Sequence, residues 1–224
     1  MGMPAERIRV VPLWIETAYI AALPVHPPEH PFRRPLVLYV GQLTRRKGPD
    51  LVVEAMPAVV AAYPEADFVF VSHNPAEQDA LQARAEQLGV ARHLRFIGQV
   101  SEEEKIALLR ACDVYVLPTR YEGFGLPLLE AMACRAPIIS SDIPVVREIV
   151  QHEVNGLLIP LGDSRALSAA ILRLAGEPAL REQLVAEGER VLEQRFNGDH
   201  LVRQVLHHYE EAVALCRARR AGGG

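Results

Sequence analysis

Two carboxylates, eight residues apart, frame the segment of the sequence that is best suited to chemistry. Glu122 precedes a turn that contains Gly123 and Gly125, and Glu130 lies about one turn into the helix that follows. The glycines allow positive φ and a close approach of the backbone, so freed amides would point at an anion. A carboxylate can accept hydrogen bonds from two adjacent hydroxyl groups. The segment suits a sugar nucleotide, with phosphates between two sugars, although each acid alone is equally consistent with a surface acid or a helix-dipole partner.

A basic loop further upstream is a second candidate for anion binding. Three consecutive cations, Arg45, Arg46 and Lys47, lie between Gly41 and a helix that is predicted to begin near Pro49. Positive charge is unfavourable beside the N-terminus of a helix unless an anion, usually phosphate, neutralises it. The loop matches neither a Walker A nor a G-x-G-x-x-G pattern. On this segment alone a solvated basic loop is the favoured interpretation, and phosphate binding of another kind is the alternative.

Both loops lie in a regular alternation of strands and helices. Short apolar runs bounded by turn residues predict buried parallel strands at residues 36–40, 68–71, 94–97, 114–117, 137–140 and 156–159. Helical patterns lie between them at about 49–63, 76–88, 101–111, 127–134, 144–150 and 164–175. The alternation predicts an α/β fold, a doubly wound Rossmann-like parallel sheet of about six strands. Such sheets bind ligands at the carboxyl ends of their strands.

The sequence divides into three parts. Residues 1–35 are rich in proline and, apart from a short strand-like run at 8–11, are typical of an inter-domain linker. Residues 36–198 form the predicted Rossmann-like domain, and residues 199–224 form a C-terminal helix followed by a tail, Gly222–Gly224, expected to be disordered. The helix places apolar side chains at four-residue steps, which favours packing on the sheet and leaves open a dimer or membrane-surface face. These side chains are those of Leu201, Val205, Tyr209 and Val213.

Composition excludes several classes of protein. The 24 basic and 28 acidic residues give a net charge of −4, which argues against broad nucleic-acid binding. The three cysteines form no C-x-x-C pair, so a reducing cytoplasm is the expected location. No secretory signal and no apolar run of about 18 residues is present, so we expect no transmembrane segment. No Asp-x-Asp sequence occurs, and no bound metal is expected.

Several motifs in register resemble the retaining GT-B glycosyltransferases of the large family 4 type. The segment from Glu122 to Ala133 reads EGFGLPLLEAMA and is similar to the E-x7-E segment of that family. Further similar stretches follow the family order over roughly residues 5–215, namely those at 41–48, 96–100, 113–118, 136–141 and 155–158. The resemblance implies one half of a GT-B fold, the C-terminal domain that binds the nucleotide-sugar donor. The stretch at 7–12 resembles the crossing between the two domains.

The resemblance also assigns roles by matching position. Lys47 would hold the donor diphosphate and Glu122 would contact the transferred sugar, and these two are the expected catalytic residues. Glu130 would bind the ribose hydroxyl groups. Residues 97–100 would lie against the base, with Val100 packing on its face. The other expected donor-binding residues lie there and in the two glycine-containing loops: Gly41, Gln42, Arg46, Ile97, Val100, Gly123, Phe124, Gly125 and Leu126. Lys105 is as consistent with a solvated helix residue as with a neighbour of the donor.

Three positions depart from the family pattern. Gln42 stands where the family usually has an arginine that shares the diphosphate, so Arg45 or Arg46 would substitute or binding would be weaker. His73 follows the second strand where a glycine-rich turn is usual, and it is more consistent with a loop residue than with a ligand contact. Arg135 ends the helix after Glu130, where glycine usually allows a left-handed cap. A different cap or some strain is therefore expected there.

The expected function is transfer of a sugar from a UDP-, GDP- or ADP-sugar to an acceptor, with retained configuration. The chain is expected to need an N-terminal acceptor domain, either on a partner chain or on a part of the protein outside this sequence. The alternative is a nucleotide-sugar binding module without transfer, or a subunit of a split transferase, and Gln42 favours it. An epimerase or phosphorylase relative is a weaker alternative, because the segment around Glu122 and Glu130 matches the transferases better. Peripheral membrane contact is left open.

Overall fold

The structure is a computed structural model that describes residues 8–24, 27–28 and 31–221. The tail expected to be disordered, Gly222–Gly224, lies outside the described residues, as does the start of the stretch at 7–12. Six parallel strands form one sheet in the order β3-β2-β1-β4-β5-β6. The strands are β1 (Leu36–Val40), β2 (Asp67–Val71), β3 (Leu94–Gly98), β4 (Val114–Leu117), β5 (Ile138–Ser141) and β6 (Leu157–Ile159). The predicted doubly wound α/β sheet is thereby confirmed.

Helices connect the strands and cover both faces of the sheet. They are α1 (Thr17–Ala22), α2 (Pro49–Ala62), α3 (Gln78–Gln87), α4 (Glu102–Ala111), α5 (Leu126–Ala133), α6 (Pro144–Arg147), α7 (Ser164–Gly176), α8 (Pro178–Arg195) and α9 (Gly198–Ala221). Local sequence determines several of their starts. The Ser101 hydroxyl accepts a hydrogen bond from the Glu104 amide at 3.1 Å and caps α4, while proline occupies the first turn of α2, α5, α6 and α8.

The central strands β1 and β4 are continuous apolar runs because both of their faces are buried, whereas the edge strand β3 is only partly buried. Leu36 and Leu38 of β1 join a core on the face covered by α1, α4, α5 and α8. Val37 and Tyr39 point the other way, into the core formed with α2, α3 and α7. The sheet is therefore a rigid layer between two cores, and its loops are the places where side chains are free to meet a ligand.

The segment expected to be a linker contains ordered structure. It forms α1, from which Ile20 is buried in the core, and Ile15 just before α1 is also buried and bridges to Asn197. Residues 8–11, expected to be strand-like, form no strand. A helix of six residues is too short for apolar periodicity to be recognised, and the surrounding prolines concealed it.

The C-terminal helix packs mainly through its start. Leu201 is buried and Val205 is partly buried, whereas Tyr209 and Val213 are 68% and 48% exposed. The favoured packing of the apolar face therefore holds for the start of α9 and not for its later turns. Among the described helices, none is long and apolar enough to cross a membrane.

Candidate functional site

The strand order creates a crevice between β1 and β4. These strands are neighbours, but the chain leaves β1 toward β2 and β3 and leaves β4 toward β5 and β6. Ligands of open α/β sheets bind at such a switch point, outside the carboxyl ends of the strands. Lys47 lies in the loop after β1 and Glu122 in the loop after β4. Their Nζ and Oε2 atoms are 2.5 Å apart, and the side chains are only 12% and 9% exposed.

The loop after β1 is fixed against the loop after β4 by close backbone contact. Residues Arg45–Lys47 form a single 3₁₀ turn, and Gly48 follows in the left-handed conformation with φ of 75°. A Cβ atom at Gly48 would lie 2.1 Å from the carbonyl oxygen of Pro118. Only glycine satisfies both the dihedral angle and the space. Lys47 is therefore held one residue from a point where the two loops touch.

Hydrogen bonds reinforce this contact. The Arg46 carbonyl accepts from the amide of Arg120 at 2.8 Å and from the hydroxyl of Thr119 at 3.2 Å. The Arg120 guanidinium donates to the Arg45 carbonyl at 2.6 Å and to both carboxylate oxygens of Asp50 at 2.7 Å. The two loops and the first turn of α2 therefore form one connected unit.

The glycine-containing turn leads from Glu122 into α5. Gly125 has φ of 110°, and a Cβ atom there would meet the side chains of Ile149 and Leu128 at 3.2 Å. The Gly123 amide donates to Oε1 of Glu122 at 3.1 Å, so that carboxylate is held by an amide and an ammonium group. The Phe124 ring packs against the Phe196 ring, edge to face, and belongs to the core.

A cleft of about 310 Å³ opens beside this turn at the carboxyl edge of the sheet. Its walls come from the ends of β1 and β2, the start of α4 and the first turns of α5, and they include Gly41, His73, Val100, Lys105 and Glu130. Three of these are donor-site residues predicted from the sequence, and the other two are the residues whose roles were left open. The cleft thus brings Gly41, Val100 and Glu130 together, whereas Lys47 and Glu122 do not line it, and nucleotide binding there stays a prediction.

Lys105 links the two helices that border the cleft. Its ammonium group lies 3.2 Å from Oε2 of Glu130 on α5 and 2.9 Å from Oε2 of Glu102 on α4. Partial burial lowers the pKa of Lys105, but hydrogen bonds and charges from the two glutamates outweigh burial, and the net pKa is raised. Lys105 is therefore a cation within the cleft rather than a solvated helix residue.

The remaining predicted residues occupy varied positions. The Gln42 carbonyl accepts a hydrogen bond from the Tyr39 hydroxyl at 2.7 Å, which fixes the start of the loop. Ile97 is partly buried and packs against the core, and Arg46 and Leu126 are exposed. The ligand contacts assigned to these residues stay predictions. Sequence reasoning missed the pair of Arg120 and Asp50. The two residues carry opposite charges and follow neighbouring strands, but this is recognisable only once the strand order is known.

The third departure from the family pattern, Arg135, has a clear conformation. It adopts φ of 60°, the left-handed cap that glycine usually supplies. Its guanidinium group forms ion pairs with Glu189 and Glu182 of α8. The side chain therefore ties the end of α5 to α8 at the cost of a strained backbone.

A further cavity among the described residues lies away from this site. Its volume is about 500 Å³, and it opens at the amino ends of β4 and β5. This is the edge of the sheet opposite to the one where such folds bind their ligands. The arginines on its wall are engaged with the protein itself: Arg110 donates to the carbonyls of Ile20 and Leu23, and Arg181 to that of Ala175. Within the described residues, no group of three or more His, Cys, Asp or Glu side chains could hold a metal ion.

Comparison with known proteins gives the relationship of the chain. Residues 26–191 match the family of glycosyl transferases group 1. A phosphatidyl-myo-inositol mannosyltransferase from Mycobacterium leprae is 34% identical over 176 residues, which cover 78% of this chain and 46% of the relative. The chain thus spans about half the length of the curated relatives it matches.

Solved structures share the fold. Sucrose-phosphate synthase from Thermosynechococcus elongatus is 30% identical, with a TM-score of 0.76 over 92% of this chain and 53% of its own. The HepE protein of Anabaena, solved with UDP and glucose, is 23% identical, with a TM-score of 0.71 over 79% of this chain and 48% of its own. The sheet of this chain is one half of a GT-B fold. With the family match over residues 26–191, the chain belongs to the glycosyl transferases group 1 family.

Proposed function

We propose that the chain is the donor-binding domain of a retaining glycosyltransferase, which transfers a sugar from a nucleotide-diphosphate sugar to an acceptor. The observation that carries the proposal is the largely buried pair of Lys47 and Glu122 at the switch point of the sheet, 2.5 Å apart. A third charged group, the Glu130 carboxylate, lines the adjoining cleft. One cation and two carboxylates are the charges that suit a diphosphate and the hydroxyl groups of a sugar and a ribose.

Each residue has a role in this proposal. Lys47 binds the diphosphate and stabilises the negative charge that develops as the sugar–phosphate bond breaks, which is electrostatic catalysis. Glu122 accepts hydrogen bonds from the transferred sugar, and Glu130 accepts them from the ribose hydroxyls. The base lies against Ile97 and Val100. The amides of the glycine-containing turn line the sugar and phosphates.

Donor binding requires an exchange of partners at Lys47. Its ammonium group is engaged by the Glu122 carboxylate, and the diphosphate must take over that contact. The loop need not move, because Gly48 and Arg120 hold it against the loop after β4. Once the ammonium group turns to the diphosphate, the Glu122 carboxylate is free to accept hydrogen bonds from the sugar. The acceptor hydroxyl then attacks from the face that the diphosphate leaves, and configuration is retained.

The acceptor site is proposed to lie outside this chain. The chain spans 46% of the mannosyltransferase relative, so a second domain of similar size has room in a protein of that length. We propose that an N-terminal acceptor domain, on the same polypeptide or on a partner chain, completes the enzyme in the cytoplasm. The second candidate is a nucleotide-sugar binding module without transfer. Gln42 favours it, because a neutral side chain replaces one of the two usual diphosphate-binding cations.

Calorimetric titration tests the donor site directly. The purified chain is titrated with UDP, GDP and ADP, beginning with UDP because the Anabaena neighbour was solved with it. We expect one nucleotide to bind and Glu130→Ala to weaken that binding at least tenfold, since hydrogen bonds to a charged group contribute about 1.5–3 kcal/mol. Glu103→Ala, an exposed acid on α4, is the matched control. Equal affinity in Glu130→Ala and the unaltered chain would refute the assigned site.

Transfer distinguishes the two candidate functions. With a binding nucleotide known, the corresponding sugar nucleotide is incubated with the chain and an acceptor, with and without a candidate acceptor domain. Release of the nucleoside diphosphate together with glycosylated acceptor supports the transferase. Tight binding without turnover in either case favours the binding module.

A further inference from the structure

Arg120 reaches from the loop after β4 to the loop after β1 and to the first turn of α2. One guanidinium nitrogen donates to the Arg45 carbonyl at 2.6 Å and to Oδ1 of Asp50 at 2.7 Å, and the other donates to Oδ2 of Asp50 at 2.7 Å. Its backbone amide donates to the Arg46 carbonyl at 2.8 Å. The side chain is only 26% exposed. One residue therefore holds both ends of the short turn that carries Lys47.

The geometry of these contacts is specific to arginine. A planar guanidinium group binds a carboxylate through two parallel hydrogen bonds and has donors left for a carbonyl, whereas an ammonium group cannot match this arrangement. Asp50 lies in the first turn of α2, just after Lys47 and Gly48. Arg45 lies at the other end of the turn. The contacts of Arg120 therefore fix the turn on both sides of Lys47.

We propose that Arg120 is a positioning residue, which places the Lys47 ammonium group for the donor diphosphate and acts through Lys47 alone. The inference rests on the proposed function of Lys47. The guanidinium group of Arg120 is engaged with Asp50 and Arg45, so its donors are directed at the protein. Removing it leaves the charge of Lys47 intact but frees the turn, so the charge-assisted hydrogen bond to a phosphate loses its fixed geometry.

A purely structural role makes a different prediction. If Arg120 only stabilised the fold, its removal would lower the melting temperature and affect all ligands alike. If it positions Lys47, its removal weakens binding of a nucleoside diphosphate far more than binding of the matching nucleoside monophosphate. The effect also vanishes when Lys47 is already absent, since two residues acting through one contact are not additive.

The experiment measures binding by calorimetry and folding by thermal melting for Arg120→Ala, Lys47→Ala and the double variant. The ligands are whichever of UDP, GDP and ADP binds the unaltered chain, and its monophosphate. Arg84→Ala is the matched control, because Arg84 forms a two-pronged pair with Glu54 of the same helix α2 but away from the site, at 2.6 and 3.1 Å. Asp50→Asn keeps the carbonyl contact and serves if Arg120→Ala does not fold.

We expect Arg120→Ala to weaken diphosphate binding about tenfold, Asp50→Asn about threefold, and Arg84→Ala less than twofold. Monophosphate binding should change less than twofold in all of them. In the Lys47→Ala background, Arg120→Ala should cost less than twofold. Equal losses for both ligands, full diphosphate affinity in folded Arg120→Ala or Asp50→Asn, or additive losses in the double variant would overturn the inference. Failure of the proposed function is distinguishable, because Lys47→Ala would then leave diphosphate binding unchanged.

Discussion

Removing the negative charge of Glu122 should tighten binding of a nucleoside diphosphate. In the structure, Lys47 donates to Glu122 at 2.5 Å, and both side chains are largely buried. A diphosphate must compete with that carboxylate for the ammonium group and must also approach a like charge. Glu122→Gln removes both obstacles and keeps the size of the side chain. The expected effect is thus opposite to the loss that follows removal of most binding-site residues.

The magnitude follows from the contact. At 2.5 Å and an effective dielectric constant of about 20, the gross attraction is roughly 6–7 kcal/mol, most of which is offset by desolvation of the two charges. A hydrogen bond that involves a charged group contributes about 1.5–3 kcal/mol net, and we place the contact of Lys47 at the upper end with a carboxylate and at the lower end with the neutral amide. The difference that Glu122→Gln returns to the ligand is about 1–1.5 kcal/mol. Diphosphate affinity should therefore rise roughly five- to tenfold.

Calorimetry with two ligands makes the prediction sharp. The nucleoside diphosphate should bind Glu122→Gln more tightly, whereas the full sugar nucleotide should gain less, because the sugar loses a charged acceptor. Glu130→Gln is the control in the other direction, since it should weaken both ligands. Diphosphate affinity at or below that of the unaltered chain would refute the reasoning, because Glu122 would then not compete for Lys47.

Three further predictions concern the backbone and the thiols. Gly48→Ala should lower the free energy of unfolding by about 3 kcal/mol, because its Cβ would meet a carbonyl oxygen at 2.1 Å, whereas Gly89→Ala, also at positive φ but in open space, should cost about 1 kcal/mol. Denaturant unfolding checks both, and equal costs would contradict the argument. Arg135→Gly should be about 1 kcal/mol more stable than Arg135→Ala in the same assay, since glycine relieves the strain at φ of 60° that alanine retains, and equal stability would count against that strain. In the native chain only the exposed Cys216 should react rapidly with a thiol reagent at pH 8, because Cys112 and Cys134 are buried and burial raises the pKa of Cys134 to about 12. Fast reaction of two or more thiols would disprove this.

The sequence was most informative where burial is uniform. The runs from Leu36 to Val40 and from Val114 to Leu117 are apolar throughout because both faces of each strand pack against a core. The start of β2 was less predictable. Asp67 is fully buried and pairs with Arg33 and Arg95, and a buried acid with partners distant in the sequence leaves no periodic signal.

The C-terminal helix was predictable as a helix but not in its packing. Apolar side chains at four-residue steps indicate a helix with an apolar face, and such a face usually packs on the rest of the domain. Leu201 is buried and Val205 is partly buried, whereas Tyr209 is exposed. Periodicity reports which side chains share a face, whereas the direction of the helix axis depends on the loop at Asn197 that precedes it.

The sequence showed which residues of a single loop belong to the candidate site, but it did not show which residues of different loops pair with each other. The spacing of Glu122 and Glu130 around two glycines indicated a ligand-binding turn, and both acids lie at the predicted edge of the sheet. The partner of each acid was not predicted. Glu122 pairs with Lys47, 75 positions away, and Glu130 pairs with Lys105, 25 positions away. Such pairs depend on which strands are neighbours, and local spacing carries no information about that order.

The strand order also determines how the site can respond to a ligand. Because β1 and β4 are hydrogen-bonded neighbours, the loops that follow them begin side by side. Gly48 then lies so close to Pro118 that even a methyl group does not fit between the loops. Separating them would require breaking the contacts of Arg120 or opening the sheet. If Lys47 binds the donor as proposed, we expect the donor to be admitted by an exchange of side-chain partners at Lys47, while the backbone around it stays in place.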